Sequence, residues 1–370
     1  MRFLTACLFV MWTGTTLFAE APEHDLRLTL PKMAYAIPGR EVGVFYENVV
    51  LTEHPEHYRF VVECDIGQPY ENRWIVAPTP EQVGDHPWTL KIFHGEKAVA
   101  ENSMLVRVAN PEFAIRRERR VLLVGDSLTH ASIYPNDLYR RLSDSHQPLW
   151  KFLGTHHPAN ANPGVYHEGY GGWTWQRFLN HFDRMAAPDQ KFPRSPFVYL
   201  ENDEAKLDLP RYINESCDGK APDFIVFFLG INDCFGANPT DPRLMDEQID
   251  TVLANAEKLI AAFREVAPHA EIGICLTPPA NKRDSGFEAN YKGRYLRTGW
   301  HRIQHRLVER QLKQFSDRQA EHISIVPLEL YLDTEKGYPV DNAVHPNANG
   351  YQQLAATLEA WIMCGVAAEK

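Results

Sequence analysis

Much of what would place this 370-residue chain in a familiar functional class is missing from it. It has no excess of basic residues: 38 Lys and Arg stand against 48 Asp and Glu, a net charge of -10. That argues against nucleic acid or an anionic membrane as a main partner. Cysteine is sparse. Setting aside Cys7 near the start, Cys64, Cys217, Cys234, Cys275 and Cys364 are spread too widely for a disulfide framework, and no spacing among them suits zinc. Cys217 and Cys234 flank one predicted strand and are the pair placed to meet above it; buried free thiols are the alternative. There is no metal-ligand spacing and no phosphate-cradling glycine loop, so no metal and no cofactor is expected. Internal repeats and low-complexity stretches are also lacking.

One apolar stretch stands apart. Met1-Arg2 forms a small positive start, Phe3 to Phe18 is apolar, and Ala19-Glu20-Ala21 follows. This is the grammar of a secretory signal peptide (residues 1–19), too short and interrupted to span a bilayer. Cleavage after Ala19 is favoured because Pro22 would sit just past a cut after Ala21. Leu4-Thr5-Ala6-Cys7 imitates a lipoprotein box without the hydrophobic core that should precede it. The expectation is a periplasmic or secreted protein with no membrane insertion after cleavage.

An apolar content of 44% and a charged content of 23% are ordinary for a globular protein, and the length favours two domains. Residues 22–112 read as all-β. Short runs such as Arg27–Leu30, Val42–Tyr46, Tyr58–Val62, Trp88–Phe93 and Ser103–Val108 alternate or carry β-branched and aromatic residues. A small immunoglobulin-like sandwich is expected, with Gly84-Asp85-His86-Pro87 as the turn into a late strand. A charged run, Arg116 to Arg119, is expected to lie solvated in the hinge. From 119 to 368 the pattern changes to strands alternating with helices. Asp223–Gly230, Glu271–Thr277 and Ile323–Leu328 read as strands, with helices over Leu244–Phe263, Trp300–Ser316 and beyond Pro346-Asn347. This predicts a doubly wound parallel α/β sheet.

The candidate chemistry lies at the strand ends, where open α/β sheets bind ligands. Arg120–Val124 runs into Gly125-Asp126-Ser127. A later loop reads Gly171-Gly172-Trp173-Thr174-Trp175, the Asp223 strand ends in Gly230-Ile231-Asn232-Asp233, and near the end lies Asp341-Asn342-Ala343-Val344-His345-Pro346. In order and spacing these four blocks resemble the SGNH, or GDSL-type, serine hydrolase superfamily, from about Arg119 to the C-terminus. No Gly-x-Ser-x-Gly elbow surrounds Ser127, so an ordinary α/β-hydrolase is not indicated. The resemblance implies Ser127 as nucleophile and His345 as general base. It implies an oxyanion hole from the backbone N–H groups of Ser127 and Gly172 and the side-chain amide of Asn232. An ester hydrolase needs these types: a hydroxyl, an imidazole to relay its proton, and donors aimed at the developing charge.

Two positions depart from the family pattern. Asn342 stands where the third triad member is usually Asp, and Gly171 where Ser or Thr is frequent. The partner of His345 is left open between Asp341, a dyad supported by Asn342 or a main-chain carbonyl, and a distant acid; Asp341 is taken as the candidate.

The Gly-Gly-Trp-Thr-Trp run resembles the corresponding loop of carbohydrate O-acetyl esterases. That implies an acetylated glycan as substrate, with Trp173 and Trp175 either presenting flat faces to sugar or filling core. Tyr291, in a long segment from Pro278 to His301 read as a loop, is a further candidate for substrate binding. Two rival readings are a lipase- or thioesterase-type hydrolase of longer acyl esters and a non-catalytic glycan-binding protein.

Overall fold

The computed structural model describes residues 26–109, 117–144, 149–187 and 189–368. The expected leader and Pro111 to Arg116 of the expected hinge lie outside them. Among the described residues no helix is long and apolar enough to cross a membrane.

The N-terminal region is built of two facing sheets, with a short antiparallel ladder of Arg27–Leu28 and Val50–Leu51 beside them. One holds β1 (Met33–Ala36), β3 (Tyr58–Cys64), β6 (Gly84–His94) and β7 (Lys97–Val108) in the order β1-β7-β6-β3. The other holds β2 (Val42–Phe45), β4 (Gln68–Pro69) and β5 (Arg73–Val76) in the order β2-β5-β4. All neighbours are antiparallel except β1 and β7. Along β6, Trp88, Leu90 and Ile92 are buried while Thr89, Lys91 and Phe93 are partly exposed, the period of two that puts one face inward. Trp88 meets Trp74 of the opposite sheet edge-on at 6.2 Å.

Gly84–Pro87 proves to be strand rather than turn. The β3 register begins at Cys64↔Trp88, so this stretch runs past the end of β3 and is a sheet edge on that side, where proline is tolerated.

Beyond it, five strands form the parallel frame of the α/β region: β8 (Arg119–Gly125), β9 (Trp150–Leu153), β11 (Phe224–Phe228), β12 (Glu271–Cys275) and β13 (Ile323–Val326). They stand in the order β9-β8-β11-β12-β13, and the two-residue β10 (Glu168–Gly169) also pairs with the end of β8. Every pairing is parallel. Every residue of β8 and β11 is buried, as expected for strands covered on both faces.

The helices that frame the sheet and the site are α1 (Ser127–His130), α2 (Ile133–Asp144), α3 (Trp175–Asn180), α4 (Ile231–Cys234), α5 (Pro242–Val266), α6 (Asp284–Tyr291), α7 (Arg297–Phe315), α8 (Leu328–Tyr331) and α9 (Ala348–Ala368); a further helix, Leu209–Ser216, precedes β11. One layer pairs α2 with α9; the other packs α5 against α3 and α7. The apolar stripe expected on α5 (Ile249, Val252, Leu253, Ala256, Leu259, Ile260 and Phe263) is buried throughout. Pro278–His301 is not a plain loop, because α6 forms within it.

Two further expectations change. Of the charged run, Arg117 and Glu118 are exposed as expected but Arg119 is buried: it pairs with Asp223, whose carboxylate also accepts from the Arg120 backbone N–H at 2.8 Å. Arg120 pairs with Glu118 at 3.0 Å, so each cation keeps a partner as it leaves water. Cys217 and Cys234 do not pair; all five described cysteines are free, and all but Cys64 are buried.

The two regions share apolar core. Leu330 of α8 and Ala360 of α9 lie in the sandwich cluster, and Phe45 packs with Tyr331 and Ala356. The buried Asn48 amide donates to the carbonyls of Glu329 and Leu332, both at 2.7 Å. Asn48→Ala leaves two buried carbonyls without a donor, and is expected to destabilise the protein by about 2–4 kcal/mol in urea denaturation.

Candidate active site

The strand order, numbered along the five-stranded frame, is 2-1-3-4-5, so the direction of winding reverses between β8 and β11. A crevice opens at the carboxyl ends of the two strands flanking such a switch point. Ser127 follows β8 and Asn232 follows β11, and the register Gly125↔Phe228 holds those ends level. Gly125 is required by contact: a Cβ there would lie 1.9 Å from Thr129 Oγ1. Its absence lets α1 turn tightly off the strand and leaves Ser127 at the first position of the helix.

Asp126 caps that helix. Its Oδ1 accepts from the Leu128 N–H at 2.9 Å and its Oδ2 from the Asn232 amide at 3.2 Å. Fully buried, it has its pKa pushed up to about 7 by desolvation. Asp233 is likewise raised to about 7, first by burial; it accepts the Trp175 N–H at 3.1 Å, and the nearby Asp126 charge adds to the rise.

The loop bearing Gly172 is held from both ends. The Tyr170 N–H donates to the Gly125 carbonyl at 3.1 Å, and the Trp173 carbonyl accepts from Asn232 Nδ2 at 3.1 Å. The Tyr170 hydroxyl donates to the buried Glu168 carboxylate, which also accepts from Thr155 and Tyr212. Gly172 is exposed with φ +76°, a left-handed conformation open to glycine at no steric cost. Both amide hydrogens of Asn232 are engaged in this geometry, so to serve an oxyanion one of them must be shared.

His345 Nε2 lies 2.9 Å from Ser127 Oγ, and both side chains are part-exposed. His345 Nδ1 lies 3.2 Å from Asn342 Oδ1. The same oxygen accepts the backbone N–H groups of Val344 at 3.2 Å and His345 at 3.0 Å. A backbone N–H only donates, so this atom is the amide oxygen. It can only accept in turn, so the neutral imidazole carries its hydrogen on Nδ1 and turns its Nε2 lone pair to the serine. Burial lowers the His345 pKa.

Asp341, the candidate acid, is exposed, and it is its backbone carbonyl that faces inward, accepting from the Asn290 amide at 3.5 Å. The turn made by Asn342 carries the neighbouring side chain away, and Asn342 itself takes the position beside the ring.

Trp173 and Trp175 are 1% and 2% exposed, and so present no face to a ligand. Trp173 packs on Tyr170, Phe178 and His181, and Trp175 on Phe227. Tyr291 is part-exposed against Phe235, Phe287 and Tyr295.

Two residues that strap the histidine loop had no local signal. Asn281 donates through its amide to the carbonyls of Pro339 and Asn342, and Asn290 accepts the Ala343 N–H at 2.7 Å.

Substitution separates Asn342 from Asp341. Asp341→Asn is expected to stay within about twofold of the parent kcat, and Asn342→Ala to lose tenfold or more. Asn342→Asp places a carboxylate against the ring and raises the His345 pKa, so the acid limb of kcat/KM moves to higher pH. Steady-state kinetics from pH 4 to 9 reads all three.

A search of curated proteins gives no match. Among solved structures the chain is similar to a carbohydrate esterase family 3 protein from Talaromyces cellulolyticus (16% identity, TM-score 0.42, covering 68% of this chain and 99% of that one). It is also similar to a family 3 carbohydrate esterase of Clostridium thermocellum (16%, TM-score 0.40, 68% and 99%). A third is Est24, a carbohydrate acetylesterase from Sinorhizobium meliloti (14%, TM-score 0.36, 66% and 99%). Residues 123–353, well over half of the chain and holding all four of the blocks described above, match the GDSL-like lipase/acylhydrolase family, and the chain belongs to that family.

Proposed function

We propose that the protein is an exported serine esterase that removes acetyl groups from O-acetylated carbohydrate. The observation that carries the esterase chemistry is the 2.9 Å approach of His345 Nε2 to Ser127 Oγ, with Nδ1 held on Asn342. In this reading His345 takes the Ser127 proton as Oγ attacks the acetyl carbonyl. The tetrahedral oxyanion is met by the Ser127 and Gly172 N–H groups and by Asn232. His345 then returns the proton to the departing sugar hydroxyl, leaving an acetyl-enzyme that water cleaves by the same relay. Asn342 orients the imidazolium that forms and offers it a dipole in place of a counter-charge.

Two things support carbohydrate and acetate. The Gly171-Gly172-Trp173-Thr174-Trp175 run is similar to the loop of carbohydrate acetyl esterases. Ser127 and His345 are also both part-exposed, so an acetyl branch on a bulky, hydrated chain reaches the hydroxyl directly. Tyr291, on the helix that straps the histidine loop through Asn290, is the proposed aromatic contact for substrate. Export rests on the apolar leader.

Ser127→Ala is expected to remove at least three orders of magnitude of kcat with unchanged circular dichroism; retention of a tenth of the rate sinks the assignment. Across p-nitrophenyl esters the acetate is expected to be turned over far faster than the octanoate, while equal or better octanoate turnover favours the lipase-type reading. The base works neutral and burial lowers its pKa, so the acid limb of kcat/KM is expected below the usual imidazole value of about 6.5. A limb above 7 contradicts that.

A further inference from the structure

Three side chains beside the nucleophile take no part in the proton relay. His130 closes the single turn of α1 that Ser127 opens, and residues three apart on a helix share a face. His156 lies three residues beyond β9, at the carboxyl edge of the sheet, and its ring packs at 4.9 Å on Tyr170, two residues before Gly172. Phe192 completes the group. It meets the two imidazoles edge-on, at 5.7 Å and 5.2 Å, and Tyr170 at 4.8 Å. Its φ of +57° is a left-handed conformation uncommon for an aromatic residue, and its carbonyl accepts from His181 Nε2 at 3.2 Å.

The two imidazoles form a unit. His130 Nδ1 lies 2.8 Å from His156 Nε2, with ring planes 13° from parallel and centroids 5.0 Å apart, so the rings meet edge to edge over one shared hydrogen. Burial, and after it the charges of His130 and His157, push the His156 pKa down to about 4, which keeps that ring neutral. Both side chains are part-exposed. Their outer nitrogens, His130 Nε2 and His156 Nδ1, are not sealed from solvent and have no hydrogen-bond partner among the described residues.

The shared hydrogen fixes what those outer atoms offer. If His130 donates it, His130 Nε2 is a bare lone pair and neutral His156 carries its own hydrogen on Nδ1; if His156 donates it, the roles reverse. The neutral pair therefore always turns one donor and one acceptor outward, and which is which can switch. A carboxylate only accepts and an ammonium only donates, so neither suits both forms. A hydroxyl does both, and a sugar carries several. The part-exposed Phe192 ring supplies an apolar flank for the C–H face of such a ligand.

We propose that His130 and His156 form the subsite for free hydroxyls of the sugar whose acetyl ester meets Ser127. The proposal rests on the esterase reading and narrows it: the substrate is a partially acetylated sugar, read by the hydroxyls it has kept.

Initial-rate kinetics on two esters of one sugar test it: methyl 2-O-acetyl-xyloside, which keeps two free hydroxyls, and methyl tri-O-acetyl-xyloside, which has none. The parent kcat/KM is expected to favour the monoacetate at least tenfold, mainly through KM. His130→Phe, which keeps a flat ring against Phe192, and His156→Leu are each expected to bring that preference below threefold. His156→Gln, with both a donor and an acceptor, is expected to keep the larger part of it. The preference is a ratio between two substrates of one protein, so any loss of folded protein cancels. No preference in the parent, or an unchanged preference in either His130→Phe or His156→Leu, overturns the proposal. A preference lost equally in His156→Gln assigns the effect to packing and overturns it too. If neither ester is hydrolysed, the esterase reading fails and calorimetry decides the subsite separately. Tighter binding of the monoacetate that disappears in His130→Phe sustains it, and equal or absent binding of the two esters overturns it.

Discussion

A single buried carboxylate ties the two halves of the catalytic crevice together. Asp126 accepts from the helix that starts at Ser127 and from the amide of Asn232, residues that follow different strands of the sheet. Among the described residues no cation lies against it, and burial pushes its pKa up to about 7. Two independently capped strand ends would leave Ser127 and Asn232 free to drift apart; the shared carboxyl group prevents it. Asn232 in turn holds the Trp173 carbonyl, so the glycine loop inherits its position from the same carboxylate. In the proposed mechanism the oxyanion donors must be in place before charge develops, and one carboxyl group with two tethers does that placing.

Much of this was legible in the residues. Continuous apolar runs such as Phe224–Phe228 announce doubly covered strands, and the α5 stripe announces its buried face. Ser127, Asn232 and His345 stand out because they follow such strands or lead a helix. Other features depend on what lies far away in the chain. Nothing local tells a tryptophan whether its face meets solvent or Phe227, so Trp175 reads equally well as platform or core. Asn281 and Asn290 lie more than fifty residues from the loop they strap, and their role exists only once α6 has docked. Gly84–Pro87 carries the composition of a turn, and only the early end of β3 makes it a tolerable strand. Asp341 and Asn342 are adjacent, and a one-residue difference in where a turn bends decides which of them meets the imidazole.

The sandwich is part of the folded core rather than an appendage. Leu330 and Ala360 of the hydrolase region are packed inside its apolar cluster, and Asn48 satisfies two carbonyls at either end of α8. The α8 segment follows β13 directly, so the edge of the parallel sheet is finished by contacts from the sandwich. The two regions therefore share packed apolar core and buried hydrogen bonds.

The Asn342 turn has a consequence for how the site responds to motion. The oxygen that orients the His345 ring also closes the turn on which His345 sits, through the N–H groups of Val344 and His345 itself. Imidazole and anchor are thus one piece of chain, three residues apart, where an acid from another strand would have made two. When the loop shifts, the pair shifts together: the distance to Ser127 changes while the tautomer does not. Any displacement of this segment therefore carries ring and anchor together, and the nitrogen turned toward Ser127 stays the same one.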